Sequence, residues 1–279
     1  MILFIVNPIS GQGSKDKVVS KLSQHECRVV YTEYAGHAEL LAREAEEDIV
    51  VAVGGDGTVN EVARGLIGTG KTLGIIPRGS GDGLALHLGL NHDLNKNIQI
   101  IENGKTHYLD AGMINGRYFF SVCGVGLDAI VSERFAKSGR RGLPNYIDQA
   151  IHTWRNHTTE LYEIEIDGVI YKYEAVMITV GNSDQWGHGA KVTPLADSSD
   201  GILDITVVED FKDIDIPMLA YRLMTGTVNL AQNIHCHKGK DIRIIRQNSG
   251  PAHADGDWFE ADKTLEIKIL KHALKVIVP

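Results

Sequence analysis

The first third of the chain alternates short apolar segments with segments of helical periodicity. The apolar segments are ILFIV (2–6), RVVYTEY (28–34), IVVAV (49–53) and TLGIIP (72–77), and a helical pattern follows each of them. Apolar runs without polar alternation predict strands that are buried on both faces. Their alternation with helices predicts parallel pairing through right-handed crossovers. We therefore expect an N-terminal α/β domain with a doubly wound parallel sheet.

In the second half of the chain, the period of the hydrophobic positions falls to two residues, after two helical patterns that end near residues 135 and 156. Tyr162, Ile164 and Ile166 alternate with charged residues and precede Asp167-Gly168, a pair typical of tight hairpin turns. We expect a nucleotide-binding α/β domain at 1–110 and a mainly antiparallel β-sandwich domain at 111–279, with a cleft between them. The last few residues could return to the first domain.

Composition and charge limit the possible functions. The 279 residues carry a net charge of −8, which argues against nucleic acid as a partner because that usually requires a basic face. Cys27, Cys123 and Cys236 form no zinc-site or disulfide spacing, so we expect a reducing cytoplasm. The first apolar run ends at Val6, too early for a signal peptide or a membrane span, which predicts a soluble protein.

Glycine-rich loops follow three of the four early strands, as NPISGQG (7–13), GGDGT (54–58) and GSGDG (79–83). The carboxyl ends of parallel strands meet at one sheet edge, where backbone N–H groups and helix dipoles favour phosphate. None of the loops is a Walker A or GxGxxG sequence, and each alone is also compatible with a tight turn. Together on one edge, they predict a site for the phosphate chain of a nucleotide.

Asp56 stands in the middle of the second loop, where a turn needs no carboxylate. Beside a bound triphosphate, a carboxylate either holds magnesium or acts as a base toward an acceptor hydroxyl. A helix N-cap is the structural alternative, but Thr58 is better placed to cap a helix that contains Val59 and Glu61. We therefore predict a functional role for Asp56.

Several motifs follow one another in order along nearly the whole chain. They are NPISG (7–11), GGDGTVNEV (54–62), IIPRGSGDGLALHLGL (75–90), GVGLDAIVSERF (124–135), GNSDQWGHGAKVTPLADSSDGILDI (181–205) and HADGDWFE (253–260). This series resembles the diacylglycerol kinase catalytic-domain family, which includes bacterial lipid kinases and sphingosine kinases. GGDG alone also occurs in NAD kinases and phosphofructokinases, whereas Asn60-Glu61 and the pattern P-x-A-x-x-x-D-G-x-L-D point to the lipid branch.

The resemblance implies an N-terminal domain that binds ATP as phosphoryl donor, with Mg²⁺ as cofactor. The implied nucleotide contacts are Asn7, Pro8, Ser10, Gly11, Thr32, Gly55, Asp56, Gly57, Thr58, Val59, Asn60, Glu61 and Ser80. Asp200, with Asp197 and the carbonyl of Ile202, matches the family's structural magnesium loop, and such oxygen donors suit a hard cation. A turn before the next strand is the alternative. Asp110 matches an aspartate thought to couple that metal to the active site.

Asp255-Gly256-Asp257 matches the family's D-G-E. The match implies that Asp255 is the general base, accepting the proton of a lipid hydroxyl as its oxygen attacks the γ-phosphoryl group in line. The same residues also suit a hairpin turn. Two departures from the family pattern concern acids: Asp257 is one methylene shorter than glutamate, and Asp82 stands where most members have asparagine. Because Asp56 and Asp255 are both present, we predict an active enzyme.

The implied acceptor is a lipid hydroxyl at a membrane surface, with diacylglycerol as the first candidate. A sphingoid base is the alternative, since GSGDGLALHL is closer to sphingosine kinases than to the GTGNDFA form. An NAD kinase and a non-catalytic nucleotide sensor are further alternatives. We expect a cytoplasmic enzyme that is peripheral at the inner membrane face, and leave open whether it is a homodimer.

Two other groups of residues are candidates for binding. His235 and His237 could bind a metal, but alternate residues on a strand usually serve packing. A basic and aromatic cluster could contact an anionic membrane, although a solvated helical face is at least as compatible with it. Its residues are Arg134, Phe135, Lys137, Arg140, Arg141, Leu143, Tyr146, Ile147, Trp154 and Arg155.

Overall fold

The computed structural model describes residues 1–9, 27–139 and 142–279, which divide into two compact units. The first unit comprises Met1–Asp110 together with His272–Pro279, and the second comprises Ala111–Lys271. Strands β5 (Lys105–Ile114) and β16 (Thr264–Val278) therefore contribute residues to both units.

A parallel sheet forms the centre of the first unit. Its strands lie in the order β2 (Cys27–Tyr31), β1 (Ile2–Val6), β3 (Ile49–Gly54) and β4 (Thr72–Pro77), and the last residues of β16 pair in parallel with β4. Among its described residues the helices are α1 (His37–Arg43), α2 (Asp56–Leu66), α3 (Gly83–His87) and α4 (Leu94–Asn103). Strands β1, β3 and β4 are buried over almost their whole length, as their unbroken apolar sequences predict. The predicted parallel α/β architecture is confirmed.

Two groups of antiparallel strands form a sandwich in the second unit. The first is a sheet in the order β12 (Ile234–Gly239), β11 (Leu203–Val208), β10 (Met177–Gly181), β7 (Val122–Gly126), β14 (Gly250–Ala254) and β15 (Asp257–Ala261). In the second group, β13 (Asp241–Ile245) pairs with β16 and with β8 (Glu160–Ile166), which pairs with β9 (Val169–Ala175). The short strand β6 (Arg117–Phe119) pairs with β5. One core cluster joins Ile178 and Ile205 of the first group to Ile164 and Ile244 of the second.

Three helices accompany the sandwich: α5 (Leu127–Lys137), α6 (Leu143–Arg155) and α7 (Ile216–Thr225). Short 3₁₀ turns at Asp213–Asp215 and Val228–Leu230 flank α7. The predicted Asp167-Gly168 turn joins β8 to β9, with φ angles of 49° and 87° that match a type I′ hairpin. Among the described helices, none combines the length and apolar character needed to cross a membrane.

Candidate active site

The three glycine-rich loops of the first unit begin at the same edge of its sheet. Val6 pairs with Val53, and Gly54 pairs with Pro77, so β1, β3 and β4 end side by side. Backbone bonds continue past the strand ends, from Asn7 N to Val53 O at 3.1 Å and from Arg78 N to Gly54 O at 2.7 Å. The carboxyl edge of the sheet thus brings the described parts of all three loops together.

The second and third loops touch through their backbones. A β-carbon at Gly79 would lie 2.7 Å from the Cα of Gly55, and one at Gly55 would lie 3.0 Å from the Cα of Gly79. Any side chain at either position would push the loops apart. The glycines therefore bring two stretches of backbone close together at the N-terminus of α2, an arrangement that suits the oxygens of a phosphate chain.

Asn7 and Thr58 join the first loop to the second. Asn7 Nδ2 donates a hydrogen bond of 2.9 Å to Thr58 Oγ1, and Asn7 Oδ1 accepts one from Ile9 N at 3.0 Å. The prediction that Thr58 caps the helix is wrong, because α2 already begins at Asp56 with Gly55 as its N-cap. Thr58 lies in the first turn instead, where it holds the first loop in place.

Asp56 joins the second loop to the third. Its Oδ1 accepts a hydrogen bond from Gly83 N at 2.7 Å, at the start of α3. As the first residue of α2, its carboxylate also lies at the positive end of the helix dipole. Asp56 therefore has a structural role in addition to the functional role predicted for it.

Asp82 is an almost fully buried acid in the third loop, with 1% of its side chain exposed. Its Oδ1 accepts a hydrogen bond from Gly79 N at 3.0 Å, whereas its buried Oδ2 receives none from any described residue. His92 Nε2 lies 3.6 Å from Oδ2. Burial, reinforced by the charge of Asp56, raises the pKa of Asp82 to about 7. A substantial fraction of Asp82 is therefore neutral at pH 7 and, like the amide of asparagine, then carries a hydrogen-bond donor.

The remaining predicted nucleotide contacts divide into exposed and buried residues. Pro8, Gly57 and Ser80 are exposed along the loop edge. The side chains of Thr32, Val59 and Asn60 are buried, so they support the loops from behind. Ser10 and Gly11 lie outside the described residues.

Glu61 is held by hydrogen bonds to the start of a neighbouring helix. Its two carboxylate oxygens accept the N–H groups of Gly36 at 2.9 Å and of Ala38 at 3.1 Å, at the start of α1. The structure therefore gives Glu61 the role of capping a neighbouring helix, and its nucleotide contact stays a prediction.

Asp255 lies at the hairpin turn between β14 and β15 in the second unit, with a left-handed φ of 50°. Its carboxylate accepts three backbone hydrogen bonds, from Phe120 N at 2.8 Å, Ser121 N at 2.8 Å and Val122 N at 3.0 Å. Burial raises the pKa of Asp255 to about 6, against the opposing effect of these N–H donors, and Asp257 adds to the rise. The geometry thus holds a mostly ionised carboxylate in a fixed orientation at neutral pH.

A buried polar cluster, which no local sequence pattern singles out, supports this turn. His253 Nε2 lies 3.2 Å from Asp128 Oδ2, which also accepts a hydrogen bond from Thr179 Oγ1 at 2.7 Å. Gly256 N donates to His253 Nδ1 at 3.3 Å, so Nε2 carries the proton and donates to Asp128. Because His253 lies near the end of β14 and accepts the N–H of Gly256, the cluster holds the turn that carries the predicted base.

The predicted metal loop is a tight turn before β11. Asp197 Oδ1 accepts hydrogen bonds from Ser199 N at 3.0 Å and Ser199 Oγ at 2.7 Å, and Asp200 Oδ1 accepts one from Ile202 N at 2.9 Å. Both carboxylates are exposed, and the Lys271 side chain packs against Gly201. Two carboxylates and a carbonyl within one turn form an all-oxygen donor set that fits Mg²⁺.

Asp110 is buried in the first unit, where its Oδ1 accepts a hydrogen bond from His272 N at 2.6 Å. His272 has a left-handed φ of 52°, so this bond stabilises an unusual backbone conformation in β16. A connection from Asp110 to a metal stays a prediction.

The two weaker candidates have structural contacts. Tyr173 Oη lies 2.7 Å from His237 Nε2, and His235 Nε2 lies 3.2 Å from Glu209, as expected for packing residues. In the part of the chain that the structure describes, no group of three or more His, Cys, Asp or Glu side chains is placed to hold a metal.

Two cationic side chains of the basic cluster interact with neighbouring side chains. Arg134 Nη1 lies 2.7 Å from His152 Nδ1, and Lys137 pairs with Glu133 at 2.6 Å. Arg140 and Arg141 lie outside the described residues. A membrane contact through this cluster therefore stays a prediction.

Comparison with known proteins places the whole arrangement in a family. The model of the diacylglycerol kinase catalytic domain matches residues 1–114, and that of the YegS C-terminal NAD kinase beta sandwich-like domain matches residues 121–278. A diacylglycerol kinase of Bacillus subtilis is 29% identical over 91% of this chain and 88% of its own length. One of Mycobacterium tuberculosis is 27% identical over 99% of this chain and 94% of its own.

Solved structures show the same architecture. A Bacillus anthracis protein assigned as a diacylglycerol kinase matches with a TM-score of 0.83 and 26% identity, over 100% of this chain and 96% of its own. An NAD kinase of Archaeoglobus fulgidus, solved in complex with ATP, matches with a TM-score of 0.59 and 12% identity, over 99% of this chain and 93% of its own. At that identity, the second likeness shows the fold alone.

Proposed function

Because the chain belongs to the diacylglycerol kinase catalytic-domain family and is a lipid kinase, we propose that it transfers the γ-phosphoryl group of ATP to a hydroxyl of diacylglycerol. The observation that best supports ATP binding is the backbone contact between Gly55 and Gly79, at the edge where β3 and β4 end side by side. Backbone N–H groups and the α2 dipole at that edge suit a phosphate chain. The kinase activity of the family implies ATP as the phosphoryl donor.

Magnesium is the proposed cofactor in two places. Asp56 would hold it near the phosphates, where it neutralises charge that builds up on the transferred group. Asp197, Asp200 and the carbonyl of Ile202 would hold a structural ion in the second unit, because their donor atoms are all hard oxygens. The hydrogen bonds within this loop already fix its turn, so few backbone changes are needed to bind an ion.

Asp255 is the proposed general base. A carboxylate has about four lone-pair sites, so its three N–H bonds leave one for the acceptor hydroxyl. As the hydroxyl oxygen forms its bond to the γ-phosphorus, its proton passes to Asp255 and the bond from that phosphorus to the β-phosphate oxygen breaks, releasing ADP. A pKa of about 6 keeps Asp255 mostly ionised at pH 7 and basic enough to accept the proton.

The acceptor is proposed from the names of the relatives, which are diacylglycerol kinases. A sphingoid base is the second candidate, favoured by the sequence GSGDGLALHL at the third loop. We place the enzyme in the cytoplasm at the inner membrane surface, because its substrate lies in a lipid bilayer. A homodimer is compatible with this activity but is not required by it.

The test offers three acceptors separately to the purified protein with magnesium and γ-labelled ATP: diacylglycerol, a sphingoid base and NAD. We expect label in diacylglycerol, reduced 10²- to 10⁴-fold by Asp255→Asn. The matched control is Asp241→Asn, an exposed carboxylate of the same unit that we expect to leave the rate unchanged. Label in NAD would overturn the lipid assignment, and ATP binding without transfer would support a nucleotide sensor.

A further inference from the structure

Helix α7 of the second unit is apolar on two opposite faces. Leu219 and Leu223 pack against a core cluster that includes Met177 and Val208. The opposite face is exposed, with Met218 55%, Tyr221 62% and Met224 59% accessible, and Ile214 of the preceding 3₁₀ turn is 84% accessible. A helix that is apolar all round is normally covered on both sides. We call this exposed face, formed by Ile214, Met218, Tyr221 and Met224, the α7 face.

The size and charge of the α7 face argue for lipid rather than for a second protein as its cover. Three side chains on a helix about 15 Å long and one on the turn before it form a patch of roughly a few hundred Å², whereas a stable protein interface buries roughly 800 Å² on each partner. Within Ile216–Thr225 the one charged residue is Arg222, which donates to Thr227 O at 3.5 Å rather than lying on this face; the two acids nearest to the face, Asp213 and Asp215, flank Ile214 in the preceding turn. Tyrosine is typical of the boundary of a bilayer, where one end of its side chain is apolar and the other is hydrated, and an apolar helix face can insert there.

The α7 face is connected to the candidate active site within the second unit. Leu223 O accepts a hydrogen bond from Lys191 N at 2.9 Å, and a β-carbon on Gly189 would lie 3.8 Å from the Met224 methyl group. The segment that contains Gly189 starts at β10, whose following residue Asn182 donates through its N–H to Ser121 O at 2.8 Å. Ser121 N in turn donates to Asp255. The α7 face is therefore linked to the proposed base, Asp255, through a few contacts.

We propose that the α7 face docks the enzyme on lipid bilayers by apolar insertion. This inference rests on the proposed function, because a kinase whose acceptor has long acyl chains must reach that acceptor in a bilayer. Because the face presents no cationic side chain and Asp213 and Asp215 border it, binding depends on inserted apolar area and not on attraction to anionic headgroups. It therefore occurs on neutral phosphatidylcholine vesicles.

The test measures vesicle binding and activity separately in the full chain. The double variant Met218→Ser/Met224→Ser is compared with Ile170→Ser, which removes an equally exposed apolar side chain from β9. On phosphatidylcholine vesicles, we expect the double variant to lose about 10-fold in affinity and the control to bind like the wild type. Phosphorylation of vesicle-embedded diacylglycerol should fall by a similar factor, while activity on short-chain diacylglycerol dispersed below its micelle concentration stays within 2-fold.

Two results would overturn the proposal. One is equal vesicle binding by the wild type and the double variant, with matching circular dichroism spectra. The other is a dimer in solution that the double variant dissociates, which would show that a second copy covers the α7 face. If the wild type phosphorylates neither form of diacylglycerol but still binds vesicles through this face, the proposed function fails while the docking surface stands.

Discussion

Replacing Asp82 by asparagine should remove a pH-dependent destabilisation of the first unit. The substitution keeps the size of the side chain and the oxygen that accepts the Gly79 N–H, but it removes the ionisation. Folding raises the pKa of Asp82 from 3.8 to about 7, so the ionised form is more costly in the folded than in the unfolded protein. The penalty is absent below pH 3.8, grows as the pH rises, and is complete just above pH 7.

The magnitude follows from the size of the pKa shift. A rise of about 3 pKa units corresponds to about 4 kcal/mol at high pH, and roughly two thirds of it develops between pH 5 and pH 8. Solvent screens little of this cost, because only 1% of the Asp82 side chain is exposed. Between pH 5 and pH 8, the wild type should therefore lose roughly 3 kcal/mol more stability than Asp82→Asn.

Urea unfolding of both proteins at pH 5 and pH 8 measures the difference. Trp154, Trp186 and Trp258 all lie in the second unit, so circular dichroism rather than tryptophan fluorescence should follow the first unit. Asp48→Asn, an exposed acid in the same unit, serves as the control and should keep the pH dependence of the wild type. An Asp82→Asn protein with the full pH dependence of the wild type would refute the reasoning.

Three further predictions concern the candidate site. Gly79→Ala should weaken ATP binding at least 10-fold in calorimetry, because its methyl group would meet the Gly55 backbone; unchanged binding in a folded variant would contradict the loop geometry. His253→Ala should lower kcat by 10- to 100-fold with the KM for ATP unchanged, and His253→Gln should restore part of it; equal kcat in all three proteins would remove the positioning role. Magnesium should raise the melting temperature of the wild type by a few degrees but not that of Asp200→Asn, and an equal rise in both would place the ion elsewhere.

The central elements of the fold could be predicted from local patterns. Apolar runs such as ILFIV and IVVAV have only one compatible environment, the buried interior of a parallel sheet, and they form β1 and β3 there. The alternation at Tyr162, Ile164 and Ile166 places these residues in the sandwich core for the same reason. The predicted start of α2 lies three residues too late, because Gly55 and not Thr58 is the N-cap, and glycine can serve as an N-cap without a side-chain bond.

The candidate site was only partly predictable, because much of it depends on contacts between distant residues. The glycine-rich loops can be recognised from the local sequence. Their contact at Gly55 and Gly79, however, depends on the order of the strands in the sheet. Asp128 and His253 lie 125 residues apart, and no local pattern identifies them as a pair. The three N–H groups that hold Asp255 likewise come from a strand and loop more than 130 residues earlier.

The most direct test of the central claim is the rate of label transfer from γ-labelled ATP into diacylglycerol, measured from pH 5 to pH 8 with magnesium. The account predicts labelled phosphatidic acid, with a rate that rises about 10-fold per pH unit below pH 6 and levels off above it as Asp255 becomes ionised. No label in the lipid at any pH, with ATP bound by the protein, would contradict the lipid kinase mechanism. Labelled lipid at a rate independent of pH across this range would contradict Asp255 as the base.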